Sequence, residues 1–271
     1  MFVTVDNLRL YHEKTGAGPP LLFLHGFAQS SYCWRELAAR LPGRRCVALD
    51  LKGFGQSDKP ADGAYRVSDQ ARLVRGAIEA LDLRDLVLVG HSLGGAVALA
   101  TAAELQRAGA PPRGLVLVGS MSMPQRIPGA LQVLRLPVLG ELAAHLTPAP
   151  LAVRAAFLLA YHDRRRISAA LVAEHARCMN LPGARAALVA TARALTAEQI
   201  GDLAPELTIP ALLLWGRHDP LVPLRVGQSL AAALPNARLE ILEDCGHYPQ
   251  QENPDETARL IREFLSALPP P

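Results

Sequence analysis

The amino-acid sequence predicts an α/β fold in which helices cover both faces of a mostly parallel β-sheet. Half of the 271 residues are hydrophobic and a fifth are charged, which is enough apolar surface for a large buried core. Short apolar segments of strand length alternate with amphipathic segments of helix length. This alternation is typical of parallel sheets, because a crossover helix connects each strand to the next parallel one.

The predicted strands and helices follow one another in the order that such a sheet requires. Residues 2–5 and 8–11 alternate apolar and polar side chains, as a hairpin does, and a buried strand in PPLLFLHG comes next. Further strands are predicted at residues 46–50, 86–90, 114–119, 211–216 and 237–242. Helical periods lie at residues 67–81, 94–108, 222–234 and 255–268.

The segment from residue 121 to residue 205 has a different character. It is rich in alanine, leucine and arginine, is interrupted by prolines and contains no convincing strand pattern. We therefore predict a helical insertion at residues 121–205, set into a core domain made of residues 1–120 and 206–271.

Charge and cysteine usage indicate what kind of environment the protein has. The net charge of +3 is small for this length and gives no indication of a nucleic-acid or anionic-membrane partner. The four cysteines lack C-x-x-C spacing and the first residues lack a basic-then-apolar leader, so we expect a reduced, cytoplasmic protein with free thiols. The uncharged stretch 86–103 contains glycines and polar residues that favour a strand, a turn and a helix over a membrane span. We expect a monomer or a homodimer.

The central motif is G-H-S-L-G at residues 90–94. It lies between the apolar strand segment LVLV and the helical segment AVALATAAEL, which is the context of a nucleophile elbow. Such a turn holds the serine in a strained conformation that raises its hydroxyl above the sheet edge. Gly90 and Gly94 remove side chains that would collide across the turn. Ser92 is therefore the candidate nucleophile, although an inert serine in a tight strand-to-helix turn is the alternative.

A serine hydroxyl becomes a good nucleophile only when a base takes its proton. His247 lies in DCGHYPQQENP, after the last predicted strand and before the last helix. This position predicts that it shares the carboxyl edge of the sheet with Ser92. Among the eight histidines, His218 is the only serious rival. His247 is the candidate general base.

The base needs a carboxylate that fixes its tautomer and stabilises its charged form. Asp219 follows a predicted strand in LLLWGRHDPLVP, at the same edge of the sheet, whereas the loop SMSMPQ after residue 119 holds no carboxylate. Asp50 has a structural alternative as a turn-forming residue. Asp244 is so close to His247 in sequence that it would have to fold back to reach it. Asp219 is the candidate acid.

Acyl transfer also requires hydrogen-bond donors for the developing oxyanion. One candidate is the backbone N–H of Leu93, directly after the nucleophile, at the start of a helix whose dipole favours negative charge. The other is the backbone N–H of Phe27, in the loop after the strand of LLFLHG.

Five motifs in this order make the sequence resemble the α/β-hydrolase superfamily over nearly its whole length. They are HGF at 25–27, DLKGFGQSD at 50–58, GHSLGG at 90–95, GRHD at 216–219 and CGH at 245–247. The resemblance implies an eight-stranded sheet, the chain order Ser, Asp, His, and a helical cap after the sixth strand, where the insertion lies.

The cap would place apolar side chains over the sheet edge and form a hydrophobic pocket, unless they only pack the cap onto the core. The residues concerned are Leu131, Val133, Leu134, Leu136, Val138, Leu139, Leu142, Phe157, Leu158 and Leu159. The basic run 164–166 favours a solvated turn over contact with an anionic substrate group.

The resemblance also separates branches of the superfamily. Haloalkane dehalogenases and epoxide hydrolases have aspartate at the nucleophile position, and dienelactone hydrolases have cysteine, whereas this chain has Ser92. Carbon–carbon bond hydrolases of the meta-cleavage type commonly have tryptophan after the catalytic histidine, where this chain has Tyr248.

The sequence therefore predicts a serine hydrolase that cleaves a small-to-medium, largely apolar carboxylic ester through an acyl-enzyme on Ser92. No metal or organic cofactor is implied. Two alternatives stay open: a carbon–carbon bond hydrolase of the meta-cleavage type, and a ligand sensor that keeps the triad and signals to a protein partner through its cap.

Overall fold

An eight-stranded, mostly parallel β-sheet forms the centre of the molecule. The computed structural model describes residues 1–127, 129–195 and 200–269. The strands are β1 (Phe2–Val5), β2 (Leu8–Thr15), β3 (Pro20–Leu24), β4 (Arg45–Leu49), β5 (Val87–His91), β6 (Gly114–Val118), β7 (Ala211–Gly216) and β8 (Ala237–Leu242). Their order across the sheet is β1-β2-β4-β3-β5-β6-β7-β8. Only the β1–β2 and β2–β4 pairings are antiparallel. The predicted fold class is confirmed.

Helices connect the strands on both faces of this sheet. The first three are α1 (Arg35–Ala38), α2 (Val67–Ala80) and α3 (Leu93–Arg107). Between β6 and β7 lie α4 (Gly129–Arg135), α5 (Leu139–Leu146), α6 (Ala149–Ala160), α7 (Ala169–Met179) and α8 (Ala184–Ala194). The chain continues with α9 (Leu224–Ala233), α10 (Pro249–Glu252) and α11 (Pro254–Ala267). Short 3-10 turns lie at Ser31–Trp34, Arg164–Arg166 and Ile200–Glu206.

The central strands are buried on both faces, which explains their continuous apolar runs. In β3, Leu22 and Leu24 join a core that includes side chains of α2, α3 and α9. Leu21 and Phe23, which point the other way, join a second core that includes side chains of α1 and α11. Successive side chains alternate between the faces of a strand, so one strand supplies both cores.

The described part of the segment between β6 and β7 consists of helices and the turns that connect them, without a strand. Val153 and Phe157 of α6 pack with Leu171 of α7, and with Tyr248 from the loop after β8. Phe157 is therefore buried against the core, whereas six of the side chains expected over a pocket are at the surface. These six are Val133, Leu136, Val138, Leu139, Leu142 and Leu159.

All four cysteines are free and buried. Within the ranges that the structure describes, no single helix is long and apolar enough to cross a membrane. The pair α5 and α6 passes that test only when joined, and it is bent by 104°.

Candidate active site

Ser92 occupies a strained turn between β5 and α3. Its φ of 52° and ψ of −117° are unusual for a residue other than glycine. A Cβ at Gly90 would overlap the carbonyl oxygen of Gly94, and a Cβ at Gly94 would overlap that of Leu24. The turn can therefore close only with glycine at both positions, as an elbow requires.

Main-chain hydrogen bonds fix the serine to the neighbouring strand. The N–H of Ser92 donates to the carbonyl of Val118 at 2.9 Å, and the N–H of Met121 donates to the carbonyl of Ser92 at 3.0 Å. Helix α3 begins at Leu93, and the first N–H groups of a helix have no partner within it. The backbone N–H of Leu93 is therefore suited to bind negative charge beside the hydroxyl.

Asp219 and His247 form a buried pair at the same edge of the sheet. Asp219 Oδ2 lies 2.7 Å from His247 Nδ1. The other oxygen, Oδ1, accepts backbone hydrogen bonds from Leu221 at 2.9 Å and Val222 at 2.8 Å. Oδ2 is therefore free to accept a hydrogen bond from the N–H at Nδ1. With the ring proton held on Nδ1, Nε2 of His247 is unprotonated and is the acceptor that a general base needs.

Gly119 connects the serine to this pair. It follows Val118, the partner of the Ser92 N–H, and has a φ of +49°. A Cβ at this position would lie 3.3 Å from both Asp219 Oδ2 and His247 Nδ1. Residues from the carboxyl ends of β5, β6 and β7 thus come together around the imidazole.

Replacing Gly119 with alanine is expected to lower kcat about ten- to a hundredfold, because the new methyl group would push the Asp219–His247 pair out of position. The matched control is Gly109→Ala, at a φ of +76° with no atom within 4 Å of the added Cβ. Both substitutions strain the backbone, so similar losses of stability are expected. Equal kcat values in the two variants would contradict this role of Gly119. Steady-state kinetics and thermal unfolding measure both quantities.

The loop that contains Phe27 lies against the nucleophile. A Cβ at Gly26 would be 3.1 Å from the Cβ of Ser92. The N–H of Gly26 donates to Gln29 Oε1 at 3.1 Å, and the carbonyl of Gly26 accepts from the N–H of Gln29 at 3.3 Å. The turn that begins at Gly26 is thereby fixed, which places the backbone of Phe27 beside Ser92.

His91 has a positioning role that the sequence does not reveal. Its Nε2 lies 2.8 Å from the backbone carbonyl of His247, and its Nδ1 lies 3.0 Å from Gln29 Oε1. Burial holds the pKa of His91 well below its usual value, and the nearby His247 adds to this effect. The ring is therefore neutral and carries a single proton, which can serve only one of these two acceptor oxygens at a time.

Glu252 anchors the histidine loop to the helical segment. Its Oε1 accepts from the N–H of Gly246 at 3.0 Å, and its Oε2 accepts from the N–H groups of His162 at 2.8 Å and Asp163 at 3.0 Å. The N–H of His247 donates to the carbonyl of Ala160, the last residue of α6, at 2.9 Å. Burial raises the pKa of Glu252, although these backbone donors oppose that shift.

The rival candidates lie elsewhere or have other partners. His218 is exposed and stacks on His162, with ring centroids 4.2 Å apart. Asp244 is exposed. Asp50 accepts backbone hydrogen bonds from Ser31 at 2.6 Å and Gln56 at 2.7 Å, which is a structural role in a turn, and burial raises its pKa to about 6. The described residues contain no group of three or more potential metal ligands.

The match of residues 19–254 to the profile of the α/β hydrolase fold shows that the chain belongs to this family. It is a hydrolase of the α/β superfamily. The chain is 33% identical to the 2-hydroxymuconate semialdehyde hydrolase of Pseudomonas putida, over 94% of this chain and 89% of the relative. It is 30% identical to the hydrolase YugF of Bacillus subtilis, over 97% of this chain and 96% of the relative.

Solved structures share the same architecture. A thermophilic esterase from Thermogutta terrifontis superimposes with a TM-score of 0.81 at 25% identity, over 98% of this chain and 96% of the esterase. The family and the fold are therefore established, and they are compatible with more than one kind of scissile bond.

Proposed function

We propose that the protein hydrolyses a small-to-medium, largely apolar carboxylic ester through an acyl-enzyme on Ser92. The observation that carries this proposal is the buried hydrogen bond between His247 and Asp219, at 2.7 Å, beside a serine in a strained elbow. This arrangement can deprotonate a hydroxyl without a metal ion or an organic cofactor.

The proposed reaction has two halves. His247 Nε2 takes the proton of the Ser92 hydroxyl while Oγ attacks the ester carbonyl, and Asp219 stabilises the imidazolium. The backbone N–H groups of Phe27 and Leu93 bind the oxyanion. The imidazolium then protonates the leaving alkoxide, which departs as an alcohol. Water, deprotonated by the same histidine, attacks the acyl-enzyme. The bond between the acyl carbon and Oγ then breaks, the imidazolium returns its proton to Oγ, and the acid is released.

The apolar preference is supported by three apolar residues whose backbones adjoin the triad. Phe27, Met121 and Leu221 are each only partly buried. Met121 and Leu221 are hydrogen-bonded through their backbones to Ser92 and Asp219, and Phe27 follows Gly26, whose Cα lies close to Ser92. Partly accessible apolar side chains beside a buried polar triad favour an apolar acyl or alcohol group. We further propose that residues 121–205 act as a cap over this surface.

A carbon–carbon bond hydrolase is the second candidate, because the Pseudomonas putida relative is named as one that acts on 2-hydroxymuconate semialdehyde. Against it stands Tyr248, where such enzymes commonly have tryptophan. The Tyr248 ring lies 5.2 Å from the ring of His247 and 5.1 Å from that of His91, so it occupies space beside the base.

A substrate comparison separates the two candidates. We expect kcat/KM to be highest for p-nitrophenyl esters of short or medium acyl chains and at least about a hundredfold lower for 2-hydroxymuconate semialdehyde, since a fit to one substrate class rarely extends to the other. The measurement is the initial rate with each substrate at one enzyme concentration. A higher kcat/KM for the semialdehyde would overturn the ester proposal in favour of carbon–carbon cleavage.

A further inference from the structure

Exposed apolar side chains are concentrated on one part of the helical segment. Ten large apolar side chains are exposed in the described ranges, and eight of them lie between residues 133 and 159. These eight are Val133, Leu136, Val138, Leu139, Leu142, Leu146, Leu151 and Leu159, and we call them the apolar face. Helices α4 and α5, which contact each other, carry most of them together with the turn that joins the two helices. Such a concentration in one segment indicates an interaction site, because isolated exposed apolar residues are normally scattered.

The backbone presents this face outward. Leu139, Leu142 and Leu146 follow the spacing i, i+3, i+7 along α5 and therefore share one side of the helix. Val138, before α5, has a φ of 62°, which is strained for a β-branched residue, and its side chain is 69% exposed. The strained turn holds the apolar side chain of Val138 in solvent, whereas packing into the core would bury it.

Positive charge is concentrated in the same segment. Residues 121–168 contain six arginines and only two acidic residues, so this segment carries +4 and the rest of the chain carries −1 of the total of +3. The arginines are Arg126, Arg135, Arg154, Arg164, Arg165 and Arg166, and the acidic residues are Glu141 and Asp163. The small net charge of the whole chain conceals this asymmetry.

A cleft adjoins the apolar face and adds a basic lining. It has a volume of about 570 Å³ and is lined by Ile127, Gln132, Arg135, Leu136 and Arg193. Leu136 belongs to both the cleft and the apolar face, so the two surfaces are continuous. Arg193 also pairs with Glu141 at 3.1 Å.

We propose that the apolar face docks on an anionic lipid surface, with its leucines in the outer acyl region and arginines of the same segment against the lipid phosphates. Apolar side chains beside basic ones are the composition of interfacial helices. A second copy of this chain fits less well, because a twofold interface would place each positively charged face against its own equivalent.

The docking surface is close to the candidate active site. Helix α6 carries Leu151 and Leu159, and the carbonyl of its last residue, Ala160, accepts the hydrogen bond from the N–H of His247. A protein docked by this face would hold the histidine loop near the lipid. The docking proposal does not depend on which bond the enzyme cleaves.

The test is flotation of the full-length protein with vesicles of phosphatidylglycerol and phosphatidylcholine, compared with vesicles of phosphatidylcholine alone, at low and high salt. We expect binding to the anionic vesicles that weakens with salt. The triple variant Leu139→Ser/Leu142→Ser/Leu146→Ser should bind at least about a hundredfold more weakly. Arg154→Ala should reduce the partition coefficient about fivefold.

Matched controls separate docking from general effects. Leu142 and Phe2 are both 48% exposed, so Leu142→Ser should weaken vesicle binding while Phe2→Ser, in the first strand, should not. Arg84→Ala, in the turn before β5, is the control for Arg154→Ala. Circular dichroism should be unchanged in all of these variants, and hydrolysis of a p-nitrophenyl ester in vesicle-free buffer should be unchanged in Phe2→Ser and Arg84→Ala.

Three results would overturn the proposal. The first is no flotation of the wild-type protein with anionic vesicles. The second is equal flotation of the wild-type protein and the triple variant. The third is a dimer in sedimentation equilibrium that the triple variant converts to a monomer, because the face would then be an interface between copies of this chain.

Discussion

Replacement of Ser92 by alanine is expected to lower kcat for a p-nitrophenyl ester by at least about 10⁴-fold. The substitution removes the only atom that can form the acyl-enzyme, while the elbow loses no main-chain hydrogen bond. The N–H and the carbonyl of residue 92 would still bond to Val118 and Met121. Thermal unfolding should therefore change little, and steady-state kinetics measures the loss.

Ser120→Ala is the matched control for this prediction. Ser120 is fully buried just after β6, and its hydroxyl lies 2.6 Å from that of Ser122. It is a buried serine at the same edge of the sheet, yet its hydroxyl already has a partner. We expect most of the activity to survive. An inactive Ser120→Ala protein beside an active Ser92→Ala protein would refute the elbow assignment.

Replacement of Asp219 by asparagine is expected to lower kcat by about 10⁴-fold through the tautomer of His247. The N–H groups of Leu221 and Val222 both donate to Oδ1, so asparagine must keep its carbonyl oxygen there and turn its amide nitrogen toward His247. The amide then donates to Nδ1, which forces the ring proton onto Nε2. A protonated Nε2 cannot accept the proton of Ser92.

Asp244→Asn is the control, because Asp244 is an exposed carboxylate only three residues before His247. Like Asp219→Asn, this substitution removes one negative charge close to the histidine in sequence, but it does not alter a group that is bonded to the imidazole. We therefore expect kcat to stay close to that of the wild type. If Asp244→Asn lost activity and Asp219→Asn kept it, the acid assigned to the triad would be wrong. Steady-state kinetics at constant pH measures both variants.

The sheet could be predicted from the sequence because its central strands are buried on both faces. Every residue of β3 is buried, so an uninterrupted apolar run marks it. The alternating pattern predicts that β2 ends at residue 11, because the residues after it are polar. The strand continues to Thr15, since these residues pair with β4. Helix α1 has four residues and is too short to show a helical period.

The candidate site could be predicted because each proposed triad residue lies in the loop or turn that follows a predicted strand: Ser92 comes directly after β5, Asp219 after β7 and His247 after β8. The supporting contacts could not. The hydrogen bond between the His91 ring and the carbonyl of His247 joins residues 156 positions apart, and the bond from the N–H of His162 to Glu252 spans 90 positions. Composition also could not show which side of helices α5 and α6 faces solvent, because both carry apolar residues on more than one side.

Covalent labelling with an alkyl fluorophosphonate, followed by peptide mapping in a mass spectrometer, tests most directly whether His247 and Asp219 activate Ser92. The serine oxygen displaces fluoride from phosphorus and forms a stable adduct. Because an ordinary serine hydroxyl is a poor nucleophile, only an activated one reacts in this way. We expect one adduct, on Ser92, that is absent from Ser92→Ala and forms far more slowly in His247→Ala. An adduct on Ser57 or Ser120, or undiminished labelling of Ser92 in His247→Ala, would contradict it.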